Sequence, residues 1–572
     1  MDRNTESHFS VNPTNIDMQR SIFNRSCQHK TTFNTGDLIP IYVDEVLPGD
    51  TFTLDMSTAI RMATPIFPIM DNLNVDFYYF FVPNRLVWEH WREFCGENRT
   101  TAWEQQTEYE IPQIVAPAST GWTKGTIADY MGIPTGIADL SVNALPFRAY
   151  CLIWNEWFRD QNNKDPAMIT LDETTQTGTN SGDYVTNAEL GALPLKAAKY
   201  HDYFTSALPE PQKGPDVSLP ISGITGTFDV IGNDKTLGLK GTTNGTDDAY
   251  YGLFSDANDN LRGRKLDYNT TIKSESAGGA YPHDLRTLGI TDEKGKSGMI
   301  VPIDTTANAV TINMLRQSFA IQRMLEKDAR GGTRYTELIR SHFGVVSPDA
   351  RQQRPEYLGG TRVPIQIDQV LQTSGTYTQT GVTNTPQGTT AAYSLTNMAG
   401  SMFTKSFTEH GYIIGLAVVR TEHTYQQGLE RMWSRNSRYD FYWPALANLG
   451  EQAILNKEIY AQGPNITDAS GNIVDDQAFG YQEAWAEYRY KPDRVSGQFR
   501  SNLVDSLDAW HLADSYNSLP QLSSDWIDET DVNVDRVIAT QNEDQFIADF
   551  YFSVKAARPM PLYSIPGLLD HH

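Results

Sequence analysis

The residues that could do chemistry are those able to hold a phosphate, a metal ion or a nucleophile. Gly295-Lys296-Ser297 ends like a phosphate-binding loop, which needs another glycine five residues before the first so that backbone amides wrap the phosphates. The preceding glycine is Gly289, one residue too far, and no buried strand comes before it. Asp256, Asn258, Asn260 and Asp267 imitate the alternating oxygen ligands of a calcium loop, but Leu261 stands where the sharp turn wants glycine. Asp468, Ser470 and Asn472 repeat the pattern more weakly. Neither H-E-x-x-H nor G-x-S-x-G occurs, and no two histidines lie four residues apart. Cys27, Cys95 and Cys151 form no C-x-x-C pair, which argues against a disulfide framework and a structural zinc site. Carboxylates are too common in this acidic chain to single out a glycosidase pair. The expectation is no catalytic, cofactor-binding or metal-binding residue, and no enzyme.

What remains is cationic and aromatic. Arg431, Arg435 and Arg438 stand beside Trp433, Tyr439 and Tyr442. That mixture suits stacking and phosphate contact with single-stranded DNA, or pairing with acidic neighbours across a subunit interface; both readings stand. A second candidate group is Arg3, Arg20, Arg25 and Lys30, four cations against Asp2, Glu6 and Asp17 in residues 1–36. This near-neutral stretch is no strongly basic tail. The runs FYYFF, WEHW, IWNEWF and FYW are explained most simply by core and interface packing.

The whole chain sets the limits within which these groups act. Its 572 residues exceed the size at which one core keeps growing, so a β core with long excursions, or two or three units, is expected. Lys and Arg number 46 against 70 Asp and Glu, a net charge of −24. That excludes a surface built to grip nucleic acid throughout. If the chain encloses a genome, its cations are confined to one face or a separate basic partner neutralises the phosphates. No apolar run approaches the roughly 20 residues of a spanning helix. The first residues lack a signal pattern, so a cytoplasmic origin is expected.

The elements that would position these residues are mainly strands. Leu38, Ile41 and Val43 lead to the turn Pro48-Gly49-Asp50, after which Phe52, Leu54 and Met56 alternate as a half-buried strand. Val75 to Val82 is too apolar for a wet face and should be buried on both sides. A short helix after Pro83, with Asn84 as N-cap, is expected at 86–94. Phe147, Tyr150, Cys151, Trp154, Trp157 and Phe158 recur at helical spacing. Helices are expected at 311–330 and 335–343, each stopped by glycine. Further strands are expected at 363–367, 412–420, 484–490 and from Phe546 through Lys555. Residues 205–300 hold 14 of the 42 glycines and none of the 11 tryptophans, the composition of an insertion rather than of a core. The domain reading is therefore an arm at 1–36, a first body segment at 37–204, a Gly-rich surface insertion at 205–300 and the remaining body at 301–572. Such a pattern suits a β-sandwich of the jelly-roll kind, whose loops can grow without disturbing the paired sheets.

Three segments resemble the major capsid proteins of gokushoviruses, a branch of the Microviridae. They are FNTGDLIPIYVDEVLPGDTFTLDMSTAIRMATPIFPIMDNLNVDFYYFFVPNRLVWEHW near the N-terminus, AIQRMLEKDARGGTRYTELIRSHFGVVSPDARQQRPEYLGG at 320–360 and FIADFYFSVKAARPMPLYSIPGLLDH at the C-terminus. The resemblance implies a single eight-stranded jelly-roll sandwich with long helical and loop insertions. It implies a self-assembling T=1 icosahedral virion capsid of a bacteriophage, formed in the host cytoplasm around circular single-stranded DNA. A small basic DNA-binding virion protein is the implied companion. The insertion at 205–300 is the implied threefold protrusion that meets the host receptor. A receptor- or glycan-binding spike protein would share the strands and the variable loop, and is the competing reading.

Overall fold

The computed structural model describes residues 20–98, 108–215, 217, 312–375, 386–540 and 543–563, together with five short strands between 227 and 302. The chain divides into two compact units, residues 1–214 with 324–572, and residues 215–323.

The first unit is framed by two antiparallel sheets. One contains β1 (Ser21–Asn24), β2 (Cys27–Phe33), β4 (Thr51–Met62), β7 (Thr396–Ser406) and β9 (Phe546–Arg558). The other contains β3 (Ile39–Val46), β5 (Leu73–Pro83), β6 (Glu356–Pro364) and β8 (Gly411–Thr421). In the first sheet the C-terminal β9 lies between the N-terminal β1 and β2 on one side and β4 on the other, and β7 follows β4. The second sheet runs β6, β5, β8, β3. β1 and β2 share one register on β9, Ser21 opposite Arg558 and Phe33 opposite Phe546, so they act as one interrupted strand.

Period-two alternation makes the sandwich. β9 turns Phe546, Ala548, Phe550, Phe552, Val554 and Ala556 inward, all buried, while Ile547 and Tyr551 face out. The inward residues meet the second sheet: Phe550 packs edge-on against Phe77 at 6.0 Å, and Tyr42 lies 5.1 Å from Phe552. β5 is buried along almost its whole length because the sheet is covered twice. Val75, Phe77, Tyr79 and Phe81 enter the sandwich core. Phe80 and Val82 enter a second core formed with the excursion between β5 and residue 200, including Trp88, Trp122 and the helix α1 (Leu145–Ile153). α1 continues as a π turn at Trp154–Phe158, which keeps the aromatic face at 147–158 against the sheet. α2 (Ile312–Gly331) and α3 (Tyr335–Phe343) match the helices expected there, α3 ending on Gly344 in the left-handed conformation with φ 69°.

In the second unit, Leu239–Thr243, Asp247–Ser255 and Leu261–Leu266 form a three-stranded antiparallel sheet, and Thr227–Asp229 pairs with Ile300–Pro302. Gly295-Lys296-Ser297 and Asp256, Asn258, Asn260 and Asp267 lie outside the described residues.

Four expectations are corrected. Within the stretch 1–36 read as an arm, residues 21–24 and 27–33 are sheet strands, and Phe33 is buried against Phe546 at 5.6 Å. Their polar composition reflects an edge position with one wet side. Asn84 does not cap a helix by its side chain; it is buried in a single 3₁₀ turn, Asn84–Leu86, and the α-helix is only Trp91–Phe94. The strand expected at 363–367 is split, β6 ending at Pro364 and a separate strand starting at Ile367, because proline lacks the N–H that would continue the ladder. The strand expected at 484–490 is instead Ala478–Glu483. Trp485 then takes the left-handed conformation, φ 67°, with its indole N–H donated to the Leu446 carbonyl at 2.8 Å, and a 3₁₀ turn at Ala486–Tyr488 follows.

Candidate functional site

Residues 430–446 carry no period long enough for a helix or strand, and fold as successive 3₁₀ turns at Arg431–Ser434, Arg438–Asp440 and Pro444–Leu446. Asp440 fixes the middle turn by accepting the amide protons of Asn436 and Ser437 at 2.8 and 2.6 Å. The first of these turns, with Gly428 to Glu430 and Arg435, forms one wall of a cleft of about 840 Å³. The loop following Trp485, Arg489 to Arg500, forms the other wall, and its base holds Tyr203, Phe204 and Tyr425. These three belong to a third apolar cluster with Ile454, Ile459 and Phe479, and Tyr490 stacks on Tyr203 at 5.2 Å. The floor is therefore built mainly of buried aromatic side chains.

Arg431 and Arg435 line this cleft. Arg431 donates to the Ala453 carbonyl at 2.9 Å and lies 3.4 Å from Glu458. Burial raises the Glu458 pKa, and the charge of Arg431 pulls it back. Arg435 pairs with Glu487 at 3.1 Å and lies over the Tyr488 ring at 4.3 Å. Arg438 sits in the next turn, 5.0 Å over the Trp443 ring, with no carboxylate partner among the described residues. Sequence reading missed Arg489, Lys491, Arg494 and Arg500, which complete the cationic lining. Four cations within twelve residues were the available signal, and the strand expected at 484–490 obscured it by assigning the first of them, Arg489, to a strand. Lys491 and Arg494 share one carboxylate, Glu430. Hydrogen bonding from Lys491 is the largest influence lowering the Glu430 pKa. The lining holds six cations and four carboxylates, a local excess of positive charge in a chain of net −24.

The N-terminal cations are spread along an edge. Arg3 lies outside the described residues. Arg20 donates to the Gly49 carbonyl and to Thr51 Oγ1 at 3.0 Å, Arg25 pairs with Asp44 at 2.7 Å and Lys30 lies 3.9 Å from Asp549. Lys30 also borders a depression of about 760 Å³ on the outer face of the first sheet. Asp468, the weak calcium-loop candidate, closes its own turn by accepting the amides of Ser470 and Asn472 at 2.8 and 2.9 Å. That loop is an ordinary side-chain-stabilised turn.

A two-sheet antiparallel sandwich extended by long excursions, with surface clefts rich in Arg, Trp and Tyr, is the build of a structural protein that meets other proteins. Comparison with known proteins makes this specific: residues 11–568 match the family described as capsid protein (F protein), and the chain belongs to that family. It is similar to capsid protein VP1 of Bdellovibrio phage phiMH2K, 42% identical over 579 residues that cover 99% of this chain and 98% of the relative. The VP1 proteins of Chlamydia phage 1 and Spiroplasma virus 4 are 40% and 42% identical, over 98% and 94% of this chain and equal shares of theirs. The resemblance to gokushovirus capsid proteins therefore holds along the whole length. The chain is a structural, non-enzymatic major capsid protein of the virion that assembles with copies of itself. Among the described residues no helix is long and apolar enough to cross a membrane.

Proposed function

We propose that copies of this chain close into a T=1 icosahedral shell around circular single-stranded DNA. The strand order carries the proposal. With β1 and β2 counted as one strand, eight strands divide into two four-stranded sheets, the first strand lies beside the last, and every neighbour is antiparallel. This supports an eight-stranded jelly roll, a fold whose loops leave both ends of the sandwich free to meet neighbours. Different patches of one subunit then contact different neighbours, and the set closes because the rotations close.

The charge of −24 supports a separate small basic protein as the companion that neutralises the packaged DNA. The arm preceding β1 is proposed to lie inside the shell or between subunits. Arg3, Arg20, Arg25, Lys30, Arg431, Arg435 and Arg438 are proposed DNA-facing or interface residues. The Gly-rich segment 205–300 is proposed as the surface protrusion that contacts the host receptor.

Negative-stain microscopy of the purified protein tests the shell: closed particles of one diameter are expected, and discrete small oligomers would favour a receptor-binding spike instead. Deleting residues 215–290 tests the protrusion. The body is expected to fold and assemble while host attachment is lost. A body that no longer folds would make the segment part of the core and end that assignment.

A further inference from the structure

The basic aromatic cleft has a complementary surface elsewhere on the same chain. His90 stacks on Tyr109 at 4.5 Å and pairs with Glu173. Three loops are thereby gathered around one point, and they bring Glu89, Glu108, Glu110 and Asp172 to the surface, all exposed. Glu89, Glu108 and Glu110 have no ion-pair partner among the described residues, and hydrogen bonds from Thr174, with a smaller contribution from the Arg148 charge, lower the Asp172 pKa. The cleft shows the opposite imbalance, with Lys491 and Arg494 sharing Glu430, and Arg500 donating to the Gln426 carbonyl at 3.1 Å with no carboxylate partner among the described residues.

We propose that the cleft is a subunit contact, and that its occupant is the acidic loop cluster around His90 of a neighbouring copy. The proposal rests on the self-assembly reading and adds to it which surfaces meet. Copies of net charge −24 repel one another, so contacts that bring them together need local charge of opposite sign. The cleft rim decides between a protein and a nucleic acid. Leu429 and Met432 line it and are exposed, beside Trp433 at 67%, and the chain leaving the other wall at Arg500 exposes Leu503, Val504 and Leu507, Val504 completely. Exposed aliphatic side chains have no counterpart to pack against on a phosphate backbone, whereas aliphatic, Trp, Tyr and Arg groups together are the composition of a protein contact centre. Paired Arg431 and Arg435 fit the same reading, since their charges are already satisfied within the subunit.

The test uses the full chain and four variants, with shell formation of the unaltered protein establishing the self-assembly reading independently. K491E/R494E changes two side chains that are more than half exposed and whose only carboxylate partner among the described residues is Glu430. It is expected to raise the subunit concentration needed for shells by about tenfold or more, with an unchanged thermal melt. E108K/E110K is expected to do the same, and the chain carrying all four changes should recover assembly. V504D alters a fully exposed side chain, so it keeps the test valid should the charge reversal disturb folding, and it too should lose assembly. Normal assembly of both K491E/R494E and V504D overturns the contact. Failure of the four-fold variant to recover overturns the acidic cluster as occupant. Normal shells that have lost only their retained single-stranded DNA would make the cleft a nucleic-acid site and end the proposal.

Discussion

His423 lies between Asp514 and Glu529, 3.1 and 3.2 Å away, with all three side chains inaccessible to water. Burial alone would lower the histidine pKa, but the two carboxylate charges and their hydrogen bonds overcome this and raise it to about 10. Burial likewise opposes ionisation of Asp514, yet His423 holds its carboxyl well below the usual range. The linked stability has two limits. The raised histidine stabilises fully below its unfolded value near 6.5, and this contribution is lost as pH climbs towards 10. The depressed aspartate stabilises above its ordinary value near 3.8, and this is lost at lower pH. The melting temperature should therefore fall on both sides of a plateau between about pH 4 and 6.5, and H423A should flatten the alkaline side. H423A should also cost about 3–5 kcal/mol, since it leaves two buried carboxylates without their shared cation. A melt of H423A equal to the parent at pH 6 would refute that role. The thiols give a second check. Cys27 and Cys95 are exposed while Cys151 is buried, with burial pushing its pKa up. Two thiols should react in the folded subunit and the third only after denaturation; three fast thiols would contradict the packing of α1.

At the scale of elements, β9 separates burial from sequence position. Phe550→Ala removes a ring at the centre of the sandwich and should cost about 3–5 kcal/mol. Tyr551→Ala, one residue along and 47% exposed, should change stability by under about 0.5 kcal/mol. Equal effects in denaturant titrations would mean the strand register is wrong. This strand was legible in the sequence because strict alternation has one physical cause, a sheet wet on one face. β5 was legible for the opposite reason, since no alternation at all means both faces are covered. Residues 484–490 were misread because a 3₁₀ turn after a left-handed Trp485 mimics alternation over a few residues. β1 and β2 were misread as arm because polar edge strands carry little apolar signal and are held by β9, more than 500 residues away in sequence.

For the whole molecule, net charge and local complementarity act over different ranges. Repulsion between copies of charge −24 extends over a Debye length, about 10 Å at 0.1 M salt and about 30 Å at 0.01 M, while direct ion pairs are screened less. Shells assembled without DNA should therefore loosen when salt is lowered from about 0.15 to 0.01 M. Light scattering at constant protein concentration reads this directly, and scattering that rises on dilution of the salt would show that local attraction dominates instead.

The sequence alone determined that the chain is mainly β, that its aromatic strands and the helices near 311–343 would form, and that its acidity forbids general nucleic-acid binding. Those are properties of local period and composition, which act on neighbours along the chain. Tertiary structure decided which strand lies beside which, which excursion covers the second face of the second sheet, and that Arg431 and Arg435 share a cleft with a loop sixty residues on. Pairing of that kind depends on chain closure over long distances, and no local pattern encodes it.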